Sequence, residues 1–405
     1  MRSILEIRKD FPILSQSIHG RDLIYLDSAA TMQMPQPVLE TVIRHYQNNN
    51  ANVHRGAYAL SQRATRGMEE ARVAVCHFLR ARSSKEIVFT SGTTGSINLL
   101  ARALPLKPGD EVVATEMEHH SNYLPWQEAC RRAGAHFRIV PVEEDGQLDL
   151  TAYRQILSSK TRLVAVSMVS NVLGTVNPVE EMTQLAHEVG ALVAVDAAQG
   201  VRHGIDVSQM DCDFLAFSGH KVGALTGIGI LYGRSAILEA LPLWDFGGGM
   251  VAEVGPDCST YGAIPQRLEA GTPHYVGAIS LGAALNYLER EDVAEIAAYE
   301  TKLLAALERE LTCFPEIHIL GHPAVRTGAI SFWVEGCHCL DVGMLLDAQG
   351  IAVRTGHHCA QPLLRRFGLD SVVRVSPAFY NTEAEMNAFC KALKHAITIL
   401  KGISL

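Results

Sequence analysis

The chain lacks any apolar run long enough to span a bilayer, so an integral membrane protein is not expected. Near its start Arg2, Glu6, Arg8, Lys9 and Asp10 interrupt any hydrophobic signal core, and secretion is not expected either. Clustered charge is missing too: 35 Lys and Arg are scattered among 43 Asp and Glu, for a net −8, which argues against a nucleic-acid groove or an anionic membrane partner. Nine cysteines, an odd number with irregular spacing, describe no disulfide framework and fit a reducing cytoplasm. Internal repeats and low-complexity linkers are absent. What remains is 405 residues with 19% charged and 48% hydrophobic side chains, an ordinary globular balance with length enough for two domains.

Between Glu86 and Gly233 short β-rich runs alternate with helical spacing. Strands are expected at Glu86–Thr90, Glu111–Thr115, Phe137–Pro141, Arg162–Ser167, Leu192–Asp196, Phe214–Ser218 and Gly229–Tyr232, with helices such as Val179–Val189 between them. That alternation predicts an α/β fold: a mostly parallel seven-stranded sheet covered by helices. From about Gly277 the pattern changes to a long helical stretch, Ala278–Leu311, broken near Glu291. Strands follow at Ile317–Leu320, Ala329–Val334, Ile351–Arg354 and Val372–Ser376, then a closing helix Glu383–Leu400. The expected organisation is a large domain over residues 21–290 and a smaller α+β domain over 1–20 and 291–405, including a Ser3–Lys9 helix. Gly247 to Arg267 reads as an irregular excursion, since Pro256 and Pro265 argue against continuous helix.

The chemistry-bearing residues fall at the C-terminal ends of the expected strands, where open α/β sheets place ligands. Ser91-Gly92-Thr93-Thr94-Gly95-Ser96 follows the first strand and opens a helix, offering small residues, hydroxyls and unpaired amides to a phosphate. Taken alone, an ordinary helix cap is the plainer account. His119 and His120 follow the second strand, and one facing the cleft can stack on a ring and shuttle protons. Asp196 ends the fifth strand with Gln199 three residues on; a carboxylate there can hold a pyridine nitrogen protonated, or simply cap the next helix. Ser218-Gly219-His220-Lys221 ends the sixth strand, where a lysine can carry pyridoxal phosphate (PLP) as a Schiff base. In the smaller domain, Cys359 sits in Arg354-Thr355-Gly356-His357-His358-Cys359, with histidines and an arginine that favour the thiolate. Cys76, Cys212 and Cys390 read as small hydrophobes. Cys337-His338-Cys339 with His357, His358 and Cys359 is a rival thiolate–imidazole metal grouping, but its Cys-x-Cys spacing is shorter than zinc sites use, and no metal is expected.

Together these residues resemble the class II cysteine desulfurases, the SufS/CsdA-like group of class V, fold-type-I PLP enzymes. The resemblance runs nearly the whole length. It includes Tyr25-Leu26-Asp27-Ser28-Ala29-Ala30, Asn52-Val53-His54-Arg55-Gly56, Glu118-His119-His120, Ser170-Asn171-Val172-Leu173-Gly174, Val195-Asp196-Ala197-Ala198-Gln199, Glu269-Ala270-Gly271-Thr272-Pro273, and Arg374 before Tyr380-Asn381. It implies that Lys221 bears the cofactor and then serves as acid and base, while His119 stacks on the ring and Asp196 pairs with its nitrogen. Gln199 and Asn171 contact the ring oxygen or substrate; Thr93, Thr94, Ser218 and His220 hold the phosphate, with Thr272 supplied by the other subunit of a homodimer. Arg374 grips the substrate carboxylate, with His54, Arg55 and Arg354 in the active-site surroundings. Cys359 takes sulfur from L-cysteine as a persulfide, leaving L-alanine, for delivery to a SufE-like or SufU-like carrier and iron–sulfur cluster assembly. The short His-His-Cys loop is the class II form.

Two segments depart from the family pattern. Val222-Gly223-Ala224-Leu225-Thr226-Gly227 replaces a Gly-Pro-Thr-Gly turn after Lys221, and Gly95 stands where the family commonly has glutamate. A selenocysteine lyase acting on L-selenocysteine would share almost every residue. An aminotransferase-like or kynureninase-like class V enzyme would keep Lys221 and Asp196 but has no use for Cys359 on a loop.

Overall fold

The computed structural model describes residues 2–402. Its centre is a seven-stranded sheet: β1 (Ile87–Thr90), β2 (Glu111–Thr115), β3 (His136–Val140), β4 (Thr161–Ser167), β5 (Leu192–Asp196), β6 (Phe214–Ser218) and β7 (Gly229–Gly233). In space they lie in the order β1-β7-β6-β5-β4-β2-β3. All neighbouring pairs run parallel except those of β7, which is antiparallel to β1 and β6. These strands are near-continuous apolar runs because helices cover both faces. Alternate residues separate accordingly: Val112, Ala114, Leu163 and Ala165 pack with Trp126 and Leu100 on one side. Val113, Val164, Val166, Val193 and Val195 join the larger core on the other.

A second, four-stranded antiparallel sheet is built from Ile317–Ile319, Ile330–Val334, Val372–Val375 and Arg354–Gly356, in that spatial order. Helices Val293–Thr312, Cys339–Asp347 and Glu383–Leu400 bury Leu303, Leu307, Leu346, Phe389 and Leu393 against it. The long helical stretch breaks near Glu291 as expected, into Tyr275–Arg290 and Val293–Thr312. The break is set by Asp292, at φ 66°, whose carboxylate accepts from the amides of Ala294 and Glu295 to start the second helix. Near the N-terminus Ile4–Arg8 is helical, with Ser3 and Glu6 capping each other. Phe11 then inserts among Tyr287, Phe379 and Tyr380.

Two expectations change. The strand expected at Ile351–Arg354 divides: Ile351–Ala352 pairs in parallel with Ile24–Tyr25, whereas Arg354–Gly356 pairs with Val372–Val375. The chain there crosses from one ladder to another, which local patterning does not reveal. The excursion expected as irregular contains a hairpin, Val251–Val254 against Ser259–Tyr261. Pro256 lies in its turn, closed by the Gly255 amide donating to Cys258 O at 2.9 Å.

Candidate active site

Nine of the expected residues converge around the ends of the central strands. Thr93, Thr94, His119, Asn171, Asp196, Gln199, Ser218, His220 and Lys221 line one cavity of about 180 Å³. Ser121, Ser167, Val169 and Ala198 complete its wall; of these only Ala198, between Asp196 and Gln199, lies in a segment the sequence marks. Gly92 makes the phosphate-type turn possible: at φ 136° it is in a region closed to most side chains, and a Cβ there would lie 3.1 Å from Ser218 Oγ. Ser218 Oγ accepts from the Thr93 amide at 2.8 Å and shares a hydrogen bond with Thr93 Oγ1, also 2.8 Å. Thr94 and Ser121 hydroxyls pair at 2.7 Å, joining the two helix N-termini that face the cavity.

Burial displaces the titratable groups that line this cavity. Lys221 donates to Ala29 O and, at 3.0 Å, to Ala30 O. Burial and then the Arg374 charge lower its pKa to about 7. Burial pushes Asp196 up to about 6, although the Ala198 amide donates to it at 2.9 Å. His119 falls to about 4, through burial and then Lys221; its Nδ1 accepts from the Ser121 amide at 3.1 Å and so caps the helix His120–Ala133. His220 also falls to about 4, again mainly through burial.

Glu118 is a residue whose importance the sequence does not announce, beyond its place directly before His119. Its carboxylate is fully buried and accepts from Thr115 Oγ1 at 2.7 Å, Ser167 N at 3.0 Å, Ser167 Oγ at 2.5 Å and Asn122 Nδ2 at 2.6 Å. Burial raises its pKa to about 7. Four donors tie it to β2, β4 and the following helix, fixing the backbone that carries His119.

The cysteine loop lies against this cavity. His358 and Cys359 are both in the left-handed region, at φ 51° and 55°, which turns the loop sharply. His358 is buried and Cys359 exposed. The His120 amide donates to Cys359 O at 2.7 Å, and Asn171 Nδ2 donates to His358 O at 2.8 Å. The Cys359 amide donates to His357 Nδ1 at 3.0 Å. Asn171 therefore touches both the cavity and the loop.

Arg374 stands behind the cavity wall, not among its lining residues. It is buried, donates to Asp27 Oδ1 and to Asn171 O, both at 3.1 Å, and leaves Nε without a partner. Asp27 also pairs with Arg354 at 3.1 Å, a second role that its sequence neighbours do not reveal. His54, at φ 74°, and Arg55 are exposed and outside the cavity. Thr272 is exposed and borders a different groove, with Phe89 and Gly95. Its loop is held by Glu269, which forms a buried ion pair with Arg72 at 2.6 Å. Among the described residues no three His, Cys, Asp or Glu side chains converge as a metal cluster; the Cys339 thiol donates to Ser371 Oγ at 3.0 Å.

The turn after Lys221 is held without proline. Gly223 is at φ 83°, and a Cβ there would lie 3.0 Å from both Gln33 O and Pro35 Cδ. Leu225 uses the amide that proline lacks, donating to Ser280 Oγ at 3.2 Å. At Gly95 a Cβ would meet Ser91 Oγ at 2.5 Å, a contact that a rotatable hydroxyl can relieve.

The class-V aminotransferase family model matches residues 24–389. The chain belongs to that family. Within it the chain groups with the cysteine desulfurases. It is 46% identical over 396 residues to the cysteine desulfurase of Cronobacter sakazakii, covering 96% of this chain and 97% of that one. It is 45% identical to the cysteine desulfurase of Synechococcus elongatus over 98% of this chain, which spans only 64% of that longer protein. The crystal structure of the Escherichia coli cysteine desulfurase CsdA superposes with a TM-score of 0.92 at 37% identity, covering 98% of this chain and 99% of that one.

A class V member binds PLP, and the cavity fits it. Thr93 and Thr94, at a helix N-terminus in its wall, would suit a phosphate. Asp196 is a buried carboxylate with no basic side chain bonded to it, as a protonated ring nitrogen requires. Asn171 Oδ1 is a buried acceptor without a partner. Lys221, its pKa lowered to about 7 mainly by burial, suits covalent attachment.

Proposed function

We propose that this protein converts L-cysteine to L-alanine and holds the released sulfur as a persulfide on Cys359. The observation that carries the reading is an exposed thiol on a loop bonded to the rim of a cavity that contains a low-pKa lysine and a buried aspartate. PLP, when bound, supplies the electron sink that lets charge develop at the substrate Cα and the C–S bond break. Lys221 removes and returns the proton at Cα, and His119, held neutral, faces the ring and relays protons. Asp196 keeps the ring nitrogen protonated, and Gln199 and Asn171 offer amides to the ring oxygen or substrate. Thr93, Thr94, Ser218 and His220 bind the phosphate. Arg374 receives the substrate carboxylate, a bidentate task for guanidinium, exchanging part of its bonding to Asp27 and Asn171 O. The Cys359 thiolate attacks the substrate sulfur. One L-cysteine and one protein thiol become one L-alanine and one persulfide, so no external oxidant is needed.

The exposed positions of Thr272, His54 and Arg55, outside their own cavity, support a homodimer in which these residues complete the partner's site. A large unit, residues 21–290, would then hold the cofactor, and a small one, 1–20 with 291–405, the thiol. An exposed persulfide needs a receiving thiol, and a SufE-like or SufU-like carrier feeding iron–sulfur assembly fits that need. No helix among the described residues is long and apolar enough to cross a membrane; we place the protein in the cytoplasm.

The test is the mass of the Cys359 peptide after anaerobic incubation with L-cysteine. A gain of one sulfur atom, removable by a reducing thiol, supports the reading. A PLP-loaded protein that gains none is some other class V enzyme. Cys359→Ser should bind PLP normally and accumulate no persulfide.

A further inference from the structure

The segment that carries Asn171 follows β4 of the central sheet and its amides bond within the turn, yet its carbonyls are bonded from the small domain. Four consecutive carbonyls each accept a donor from the small domain. Arg374 donates to Asn171 O at 3.1 Å, Ser331 Oγ to Val172 O at 2.7 Å, Arg326 to Leu173 O at 2.5 Å, and the Thr327 amide to Gly174 O at 2.8 Å. Gly174, at φ 69°, has to be glycine here, because a Cβ would lie 2.3 Å from Ala329 O and 2.6 Å from Thr327 O. On the other side of the same turn the Asn171 side chain holds His358 O at 2.8 Å, one residue before Cys359.

Arg326 is the cross-piece of this arrangement. It is buried, and its second donor, to Gly321 O at 2.6 Å, anchors it to its own domain. Glu308 faces it at 3.3 Å and balances its charge. A guanidinium can reach two carbonyls in divergent directions at once, which an ammonium on a lysine stem does poorly. Nothing in the chemistry of the reaction uses Arg326: it is not among the residues that line the cavity.

We propose that Arg326 is a positioning residue: by bridging Leu173 O and Gly321 O it sets the turn 171–174, and through Asn171 it sets the Cys359 loop against the cofactor cavity. The proposal rests on the desulfurase reading for its effect on turnover, but not for its effect on the loop. A thiol displaced by about 1 Å from the substrate sulfur loses up to about 10²-fold in rate, so partial loosening is visible in kcat.

The experiment uses PLP-loaded Arg326→Gln, Arg326→Lys and Ser331→Ala beside the parent. Three quantities are read: the visible cofactor band with the thermal midpoint, the rate of Cys359 alkylation by iodoacetamide, and kcat and KM for alanine formation from L-cysteine. With the band intact, Arg326→Gln should lower kcat about 10-fold while KM stays within about twofold, and speed Cys359 alkylation about threefold or more. Arg326→Lys should recover part of both. The proposal is overturned if kcat and alkylation both stay within about twofold of the parent, or if kcat falls only in step with lost cofactor or lost folded protein. Should both Arg326 variants fail to fold, Ser331→Ala decides in the same way, with about threefold changes expected because it removes one bond of the four. If the parent makes no alanine, the desulfurase reading fails, and the alkylation rates still decide whether Arg326 positions the loop.

Discussion

The cofactor cavity and the cysteine loop share a boundary but are built on opposite terms. In the cavity, burial moves each titratable group toward its neutral form: Lys221 down to about 7, Asp196 up to about 6, His119 down to about 4. In the loop the reactive residue is exposed, and its placement comes from two left-handed residues and a few backbone bonds. The difference follows from what each part has to do. Groups that bind a cofactor and move protons gain from being desolvated before it arrives. On the proposed function, a thiol that first meets substrate inside and later an acceptor outside cannot be sealed in.

The sharpest break of that comparison is to remove one reactive group from each side. Lys221→Ala should lower turnover by at least about 10³-fold and abolish the covalently bound cofactor, scored as loss of the borohydride-reducible adduct on the peptide. Cys359→Ser should also stop persulfide formation, yet retain that adduct. If both variants lose the adduct, the two regions are not separable. Asp196→Asn should cost about 10²-fold in kcat and weaken PLP binding, because an amide cannot keep the ring nitrogen protonated; kinetics on PLP-saturated enzyme test it.

A smaller effect tests the burial of Lys221 directly. Its folded pKa of about 7 lies below the ordinary 10.5, so between those values the unfolded chain holds a proton that the folded chain does not. Stability from this group therefore rises with pH across that window and is lowest below it. In cofactor-free protein Lys221→Met should raise the melting temperature by about 2–4 °C at about pH 6, with the gain shrinking as pH climbs toward about 10. A gain independent of pH would mean that Lys221 is not desolvated. The smallest effect belongs to the altered turn. Leu225→Pro would restore the family's residue but remove the donor to Ser280 Oγ, at a cost of about 1 kcal/mol in stability, measured by denaturant unfolding.

Much of the central sheet is legible in residue order alone. The sheet strands are uninterrupted apolar runs bounded by turns, so their positions shift by at most a residue or two between expectation and observation. Glu111–Thr115, Leu192–Asp196 and Phe214–Ser218 agree at both ends. Residues lining the cavity are legible where they directly follow those strands. Asp27, Glu118 and Arg326 are not, because each acts through partners far away in sequence: Asp27 on Arg374, Glu118 on Ser167, Arg326 on Leu173. A carboxylate beside a histidine, or an arginine before a strand, carries no local mark of the bond it makes.

Residue type and position relative to a strand end were enough to specify the strands of the central sheet and to bring Thr93, Asp196, Ser218 and Lys221 to one cavity. Both are local properties, written in the chain itself. Tertiary packing was needed to make Ile351–Ala352 leave its neighbours and pair with Ile24–Tyr25, and to hold Arg374 behind the cavity wall on Asp27. Packing also brought Arg326, Thr327, Ser331 and Arg374 onto the turn at Asn171. Those outcomes depend on which unpaired backbone groups two packed surfaces present to each other, and every buried carbonyl there has to find a donor.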